Sequence, residues 1–442
     1  MPIAWSRGAG LLAALLLPVC TCAMEPRAFD VLHYSATLEL DIAAGQVQGE
    51  ETVRFRAGTG PLRQLQLDSG ELAVASVRQA GRPLAYEQQA GKLRIALLRP
   101  LPQGRESQVV VRYHGRPRFG LSFSAGRNEV YTIFSTSQWL PSVDAPDERA
   151  TLDLALRLPA PLQAIATGKA LRARRLADGR IERRWRLRTP MPGYVYGFAV
   201  GPYQQARQRH GRGWLRYYAV ERSPAELRRI FAATGDMLDF FADRAGLAYR
   251  GDYSQALVAD TIGQEMAGVS LMSEAYGREV LDDPARQGLM AHEAAHQWWG
   301  NRVTCAGWEH FWLNEGMASF MAAAWLQHAQ GEAAYQRQVA GWRTRLQALR
   351  DSGSDHALVY PDWTSPSRDD RAVVYQKGAY VLHRLRQELG EEVFWRGMRG
   401  YAQANDGRAV VTADFQRAME AAAGHSLQPF FQAWVYGTGG QP

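Results

Sequence analysis

Hydrophobic and polar residues alternate with a period of two through the first half of the chain. The alternation is clearest in segments 38–42, 53–55 and 109–113, and glycine and proline residues punctuate it. A period of two places successive side chains on opposite faces of a strand, so these segments are predicted to be β-strands. We therefore predict a β-rich N-terminal domain over residues 24–206.

Helical periodicity replaces this alternation in the second half of the chain. Apolar residues around Phe240 and Phe241 recur at the spacing of one helix face. Two short strand-like stretches, 256–259 and 269–272, interrupt the helical pattern. We predict a second, mainly helical domain over residues 207–442, which makes the whole chain a multidomain α+β protein. The boundary rests on the change of pattern alone.

The first residues of the chain resemble a targeting segment. An apolar run over residues 11–17 follows a basic residue, is too short to span a bilayer, and precedes small residues that suit cleavage after Ala23. Residues 1–23 are therefore predicted to be a signal peptide for export to the periplasm or the exterior. A lipoprotein anchor on Cys20 or Cys22 is the alternative, although the residues before each cysteine match that signal poorly.

Composition favours a globular enzyme over a nucleic-acid-binding protein. At 442 residues, with 46% hydrophobic and 21% charged positions, the chain can bury the cores of two domains. All but three of its 51 basic residues are arginine, and they are spread along the chain rather than gathered in one stripe. We therefore expect no nucleic-acid partner. Cleavage after Ala23 leaves Cys305 as the only cysteine, so no intrachain disulfide is expected.

One constellation of residues indicates a catalytic metal. The run His292-Glu293-Ala294-Ala295-His296 is followed nineteen positions later by Glu315. Residues four apart share one face of a helix, so both imidazoles can bind one ion while Glu293 reaches a water on that ion. Two nitrogens and one carboxylate form the three-ligand set of a catalytic zinc, which leaves one position open. We predict one Zn²⁺ per chain, bound by His292, His296 and Glu315.

The predicted helices support this interpretation. Asp283-Pro284 is a suitable helix start and Gly300-Asn301 a suitable stop, which would place the histidines in the middle of a helix. A second helix is predicted from Leu313 to Gln327, with Glu315 near its start. Two packing histidines and a solvated glutamate remain the alternative interpretation.

Several motifs together resemble those of the gluzincin aminopeptidases, the family of aminopeptidase N and leukotriene hydrolase. The resemblance covers most of the chain after the predicted signal peptide. Its segments are the histidine and glutamate motif above, 30–34, 139–146, 196–201, 374–379 and 434–439. The resemblance implies a β-saddle domain followed by a thermolysin-like catalytic domain.

The resemblance also implies roles for individual residues. Glu293 matches the general base, and Tyr375 matches the tyrosine whose hydroxyl stabilises the oxyanion. Glu265 matches the glutamate that binds the substrate's α-amine, although Ile262, Gln264 and Met266 depart from the family motif. The flanking Gly263 and Gly268 are predicted to bind substrate with it.

Two further interpretations concern how a peptide would bind. Gln138 is the candidate for a second residue near the substrate amine, in a loop shorter than the family's usual form. The strand at 269–272 is predicted to add a substrate strand at its edge.

Zinc-dependent aminopeptidase activity on peptides is the predicted function. A zinc endopeptidase, which has no need of a free amine, is the alternative. Nothing in the sequence selects leukotriene-type epoxide hydrolysis, and a non-enzymatic relative would be expected to have lost ligands or base. We expect the family's helical lid to be absent after residues 434–439, and the cleft to be open unless a second subunit covers it.

Overall fold

The computed structural model describes residues 27–260, 262–363 and 365–439. The predicted signal peptide therefore lies outside the described residues. Within those ranges, no helix has the length and apolar character needed to cross a bilayer.

The N-terminal part of the chain is built almost entirely from β-strands, which confirms the predicted β-rich domain. Three sheets form it, and in the largest the strands run in the order β13-β15-β11-β1-β2-β8-β4-β5. The strands are β1 (Phe29–Asp41), β2 (Gln46–Ala57), β3 (Leu62–Asp68), β4 (Ala73–Gln79), β5 (Arg82–Pro83), β6 (Tyr86–Gln89), β7 (Lys92–Leu101), β8 (Glu106–Gly115), β9 (Leu121–Ser124), β10 (Glu129–Thr132), β11 (Arg149–Leu158), β12 (Gln163–Ala166), β13 (Lys169–Ala170), β14 (Arg174–Arg175), β15 (Ile181–Pro192) and β16 (Phe198–Gly201).

Alternation along these strands explains how the largest sheet buries its inner face. In β2 the residues Val47, Val53 and Phe55 are buried, and exposed polar residues stand between them. Glu51 occupies one of the inward positions of the same strand, opposite Ala36 of β1. The alternation thus places a carboxyl group inside an otherwise apolar core.

The C-terminal part is mainly helical and contains one five-stranded sheet in the order β17-β18-β19-β21-β20. A π-helix, Val373–Lys377, separates α7 from α8. The elements are β17 (Gln204–His210), β18 (Gly213–Ala219), α1 (Pro224–Ile230), α2 (Thr234–Ala245), β19 (Tyr253–Val258), β20 (Gly263–Gln264), β21 (Val269–Ser273), α3 (Glu274–Asp282), α4 (Gly288–Ala295), β22 (Thr304–Cys305), α5 (Trp312–Gln330), α6 (Glu332–Asp351), α7 (Arg368–Ala372), α8 (Gly378–Ala404), β23 (Ala409–Val410), α9 (Thr412–Ala423) and α10 (Gln428–Trp434).

Sheet membership moves the domain boundary slightly. Strand β16 pairs with β10 and β12 in the first part, whereas β17 pairs with β18 in the sheet of the second part. The predicted boundary after residue 206 therefore falls inside β17, and the chain passes between the domains at 202–203. Pattern alone could not detect this change, because both flanking segments are strands.

The predicted start of the first metal-binding helix is wrong. The backbone N–H of Asp283 donates to the carbonyl oxygen of Glu279, so Asp283 ends α3 instead of opening α4. Its carboxylate accepts a hydrogen bond from the backbone of Ala285 in the following turn, and α4 begins only at Gly288. An aspartate followed by proline suits a helix exit as well as a helix start.

Candidate metal centre and active site

Helices α4 and α5 bring the three predicted ligands together. The Nε2 atoms of His292 and His296 are 3.0 Å apart, and they lie 3.3 and 3.4 Å from Oε2 of Glu315. A tetrahedral zinc with bonds of about 2.0–2.1 Å separates its ligand atoms by about 3.3 Å. The three donor atoms therefore fit one face of such a tetrahedron.

The burial of the three donor atoms favours the binding of a cation between them. Both Glu315 and His296 have only 1% of their side chains exposed, and Oε2 of Glu315 accepts no hydrogen bond from any described residue. A buried carboxylate oxygen without a donor needs a positive charge beside it. Burial opposes the charge on His296, but Glu315 and two nearby carboxylates raise the pKa of its imidazole to about 10. The site thus attracts a cation strongly.

The outer nitrogens of the two histidines are held by other groups. Nδ1 of His296 lies 2.9 Å from the carbonyl oxygen of Trp299. A carbonyl only accepts, so Nδ1 carries the proton and Nε2 is left free to bind a metal. Nδ1 of His292 lies 3.4 Å from the hydroxyl of Ser319.

Glu293 lies beside the ligands and faces the short strand β20. A Cβ atom at Gly263 would come within 2.1 Å of Oε1 of Glu293, so glycine at this position is what allows the carboxylate to approach the strand. Burial, together with the charges of Glu265 and Glu315, holds the pKa of Glu293 well above its usual range, against the lowering effect of His296. A carboxylate in these surroundings is suited to accept a proton.

Tyr375 lies on the π-helix and stacks against a ligand ring. Its ring centroid is 5.8 Å from that of His292, with 16° between the planes. Burial and the nearby Glu315 carboxylate hold the pKa of Tyr375 well above its usual range, so the phenol keeps its proton and can donate it in a hydrogen bond. Buried Lys377 anchors the same π-helix by donating to Asp355 at 2.7 Å.

Glu265 adds a third buried carboxylate to the site, after Glu315 and Glu293. Oε2 accepts a hydrogen bond from Nε2 of Gln264 at 3.1 Å, and Nδ2 of Asn301 donates to its backbone oxygen at 3.0 Å. Burial raises the pKa of Glu265 to about 7, while the nearby His296 lowers it. No described lysine or arginine contributes to this shift.

Comparison with known proteins agrees with the geometry. The family model described as the peptidase M1 N-terminal domain matches residues 31–195, and the peptidase family M1 domain matches residues 266–434. The chain belongs to peptidase family M1. It is a metallopeptidase of that family, and its cofactor is zinc, for which His292, His296 and Glu315 provide the donor set.

Individual relatives of this M1 peptidase cover most of the chain. Leucine aminopeptidase 2 of Aspergillus niger is 23% identical over 93% of this chain and 71% of the relative. Leukotriene A-4 hydrolase of Xenopus laevis is 25% identical over 89% of this chain and 68% of the relative.

A solved structure matches the fold of both domains. The M1 zinc metallopeptidase from Deinococcus radiodurans, a mutant bound to a Tyr-Ser-Ala substrate, superposes with a TM-score of 0.81 at 27% identity. The match covers 94% of this chain and 96% of that chain. The same enzyme without the mutation gives a TM-score of 0.80 at 26% identity.

The outer strand of the five-stranded sheet is not the one that was predicted, which was the strand at 269–272. Strand β21 is not at the edge, because β21 is hydrogen-bonded to β19 on one side and to β20 on the other. The outer strand is β20, which consists of only Gly263 and Gln264. Two residues are too few to show a period, which explains why the sequence favoured the longer strand.

Gly268 forms a turn before strand β21. Its φ of +76° lies in the region that favours glycine. Both of its backbone groups are occupied: the N–H donates to Oε1 of Gln297 at 2.8 Å, and the carbonyl accepts from Ser254 at 3.0 Å. These bonds give Gly268 a structural role in the turn, and its substrate-binding role stays a prediction.

The structure places Gln138 within the N-terminal domain. Its Oε1 accepts a hydrogen bond from the backbone N–H of Glu71 at 3.1 Å, and its side chain packs so closely on Gly70 and Gly120 that neither position has room for a Cβ atom. These contacts give Gln138 a structural role in the N-terminal domain, and its proximity to a substrate amine stays a prediction.

Two supporting residues escaped the sequence analysis. Gln297 bonds the backbone on both sides of Ala267, at Gly268 and Met266, and Asn301 bonds Glu265. These two side chains fix the segment of strand and turn that carries Glu265. A signal was present, because both are buried polar residues that continue the spacing of four from Glu293.

Proposed function

We propose that this M1 peptidase is an aminopeptidase that hydrolyses the first peptide bond of peptides with a free N-terminus. The observation that carries the proposal is the buried carboxylate of Glu265 beside the metal ligands, with no described lysine or arginine to compensate it. A substrate ammonium group would supply the missing positive charge. In an aminopeptidase that ammonium is only one residue from the bond that is cut.

The other residues of the site have roles that follow from their positions. When bound, zinc lowers the pKa of a water and polarises the substrate carbonyl. Glu293 accepts the proton of the attacking water and then delivers it to the leaving amine. The hydroxyl of Tyr375 donates a hydrogen bond to the oxyanion, which is worth about 3 kcal/mol in a dry site.

The strand β20 would orient the peptide. Its outer edge presents main-chain groups to an extended segment, and Gly263 leaves room for the Glu293 carboxylate against the same strand. This arrangement supports a substrate whose first residue lies along β20 with its amine at Glu265. The similarity to a leucine aminopeptidase and to a metallopeptidase bound to Tyr-Ser-Ala supports the same reading.

A panel of aminoacyl fluorogenic amides, each made with a free and with an acetylated amine, tests the proposal. We expect hydrolysis of the free amides only, its loss on chelation and its return when zinc is added. Equal hydrolysis of acetylated substrates would favour the alternative zinc endopeptidase. Activity that survives complete removal of metal would contradict both.

We also propose that the protein is exported, since the sequence of residues 1–23 has the features of a signal peptide. N-terminal sequencing of the protein recovered from a bacterial periplasm tests this. A first residue of Met24 is the expected result, and an uncleaved chain in the cytoplasm would contradict it.

A further inference from the structure

One tyrosine of the N-terminal domain reaches the segment between the two metal-binding helices. Tyr194 is buried, and its hydroxyl donates a hydrogen bond to the carbonyl oxygen of Gly300 at 2.6 Å. The hydroxyl oxygen of Tyr194 itself accepts a hydrogen bond from Nδ2 of Asn314 at 3.0 Å. A single hydroxyl group thus bridges the segment after α4 and the first turn of α5.

The contact with Gly300 lies directly behind a metal ligand. Gly300 follows Trp299, whose carbonyl oxygen fixes Nδ1 of His296. Its backbone has a φ of +125°, and a Cβ atom there would come within 2.8 Å of the same Nδ1. The hydrogen bond from Tyr194 to Gly300 therefore restrains the backbone at 299–300, which contacts the His296 ring and fixes its orientation.

The contact with Asn314 lies next to the other helix's ligand. Asn314 precedes Glu315 and is itself buried. Its Oδ1 accepts a hydrogen bond from the backbone N–H of Cys305 at 3.0 Å, so both ends of the amide are occupied. Fixing this side chain fixes the start of α5, and with it the direction of the Glu315 carboxylate.

Arg149 makes a second connection from the same domain. Its Nη1 donates to the hydroxyl of Thr304 and its Nη2 to the carbonyl of Asn301, each at 3.0 Å. The N-terminal domain thus holds the segment between α4 and α5 at two places.

From these contacts we infer that Tyr194 is a positioning residue of the zinc site, through which the N-terminal domain sets the geometry of ligands it does not touch. Hydrogen bonds behind metal ligands typically change metal affinity 10- to 100-fold. Tyr194 contacts Gly300 and Asn314, which are the neighbours in sequence of Trp299 and Glu315, so its influence on the ligands is indirect. We therefore expect the smaller change, about tenfold in zinc affinity. The inference rests on the metal site and not on the proposed specificity for free amines.

Zinc transfer from the full-length holoenzyme to a competing chromophoric chelator tests the inference without reference to activity. Tyr194→Phe removes the hydroxyl and leaves the ring, which packs edge-to-face on Trp308. Tyr196→Phe is the matched control, because the Tyr196 hydroxyl is also buried and bonds the carbonyls of Ala150 and Met191, both in the N-terminal domain.

We expect Tyr194→Phe to raise the zinc dissociation constant about tenfold and Tyr196→Phe to change it less than twofold. An unchanged constant for Tyr194→Phe, or equal losses in the two variants, would overturn the inference. If Tyr194→Phe does not fold, Asn314→Ala removes the other end of the bridge. Zinc affinity must fall in that variant too, and an unchanged value would overturn the inference equally.

Discussion

Glutamate carboxyl groups are buried in both domains, but their surroundings differ. Glu51 lies in the core of the N-terminal domain, fully buried, and neither of its oxygens has a hydrogen-bond donor among residues 27–260, 262–363 and 365–439. Burial raises its pKa well above the usual range. Glu315 is buried as deeply, yet burial is outweighed there by His296 and His292, and its pKa lies below the usual range.

The comparison shows that depth alone does not decide the charge of a carboxyl group. A buried carboxylate keeps its charge only where a cation faces it, and otherwise it takes up a proton. Glu293 and Glu265 lie between these extremes, because they share His296 with Glu315 and repel one another. Replacing each of the four glutamates by glutamine removes one titratable carboxyl group at nearly constant shape, and each replacement should have a different consequence.

The largest effect is expected for Glu293→Gln. The amide cannot accept the proton of the attacking water, so kcat should fall about a thousandfold or more. Zinc content should stay at one equivalent, because Glu293 is not a ligand. Steady-state kinetics on an aminoacyl amide and elemental analysis of the same preparation measure both quantities. Glu274→Gln, at a buried glutamate paired with Arg222, is the control. Residual activity above a few per cent would remove Glu293 from the mechanism.

Glu315→Gln should affect the metal instead. A neutral amide is a poor zinc ligand, and the two remaining imidazoles hold the ion weakly, so zinc affinity should fall at least about a hundredfold. Competition with a chelator measures it, and Glu293→Gln, which keeps all three ligands, is the natural comparison. If Glu315→Gln held zinc as tightly as the wild type, the three-ligand site would be wrong.

Glu265→Gln should affect substrate more than metal. Loss of a charge-assisted contact to the substrate ammonium is expected to lower kcat/KM on free aminoacyl amides about 30- to 100-fold. Zinc affinity should change little, since Glu265 is not a ligand. The measurement compares kcat/KM in Glu265→Gln and Glu274→Gln. If kcat/KM fell equally in both variants, or did not fall in Glu265→Gln, Glu265 would not bind the substrate ammonium.

Local patterns in the sequence predicted the parts of this site that depend on short spacing. His292 lies on α4 and His296, four residues later, caps the end of that helix, so the histidines are not in mid-helix as predicted, but their spacing still brings both rings to one side. Helix α5 begins one residue from its predicted start. The identity of the metal ligands follows from these two facts.

Contacts between distant parts of the chain could not be predicted from local sequence patterns. Gln138 is held by Glu71, and Tyr194 meets Asn314 across 120 positions of sequence. No period or spacing relates such residues. The fold of the N-terminal domain brings Gln138 to Glu71, and the packing of one domain on the other brings Tyr194 to Asn314. Glu51 is an intermediate case: alternation predicts an inward position in β2, but not that a carboxyl group there lacks a partner.

The smallest effect is expected for Glu51→Gln, and it should depend on pH. The pKa of Glu51 is higher in the folded chain than its ordinary value of 4.5, so unfolding releases a proton above that pH. Wild-type stability should therefore fall as the pH rises from 4.5 towards the folded pKa. Tyr34 and Tyr113 are the titratable groups that face Glu51, and burial holds the pKa of each well above 10. Both stay neutral over this range.

Glutamine carries no proton to release, so Glu51→Gln should remove this dependence. At pH 4.5 the variant and the wild type should unfold at similar denaturant concentrations, whereas at pH 8 the variant should be more stable by about 2 kcal/mol. Glu50→Gln is the matched control, because Glu50 is the next residue of β2 but is exposed and paired with Arg112. If the pH dependence of stability persisted unchanged in Glu51→Gln, it would not come from Glu51, and the pKa of this carboxyl group would not be raised by burial. The contrast with Glu315 would then be lost.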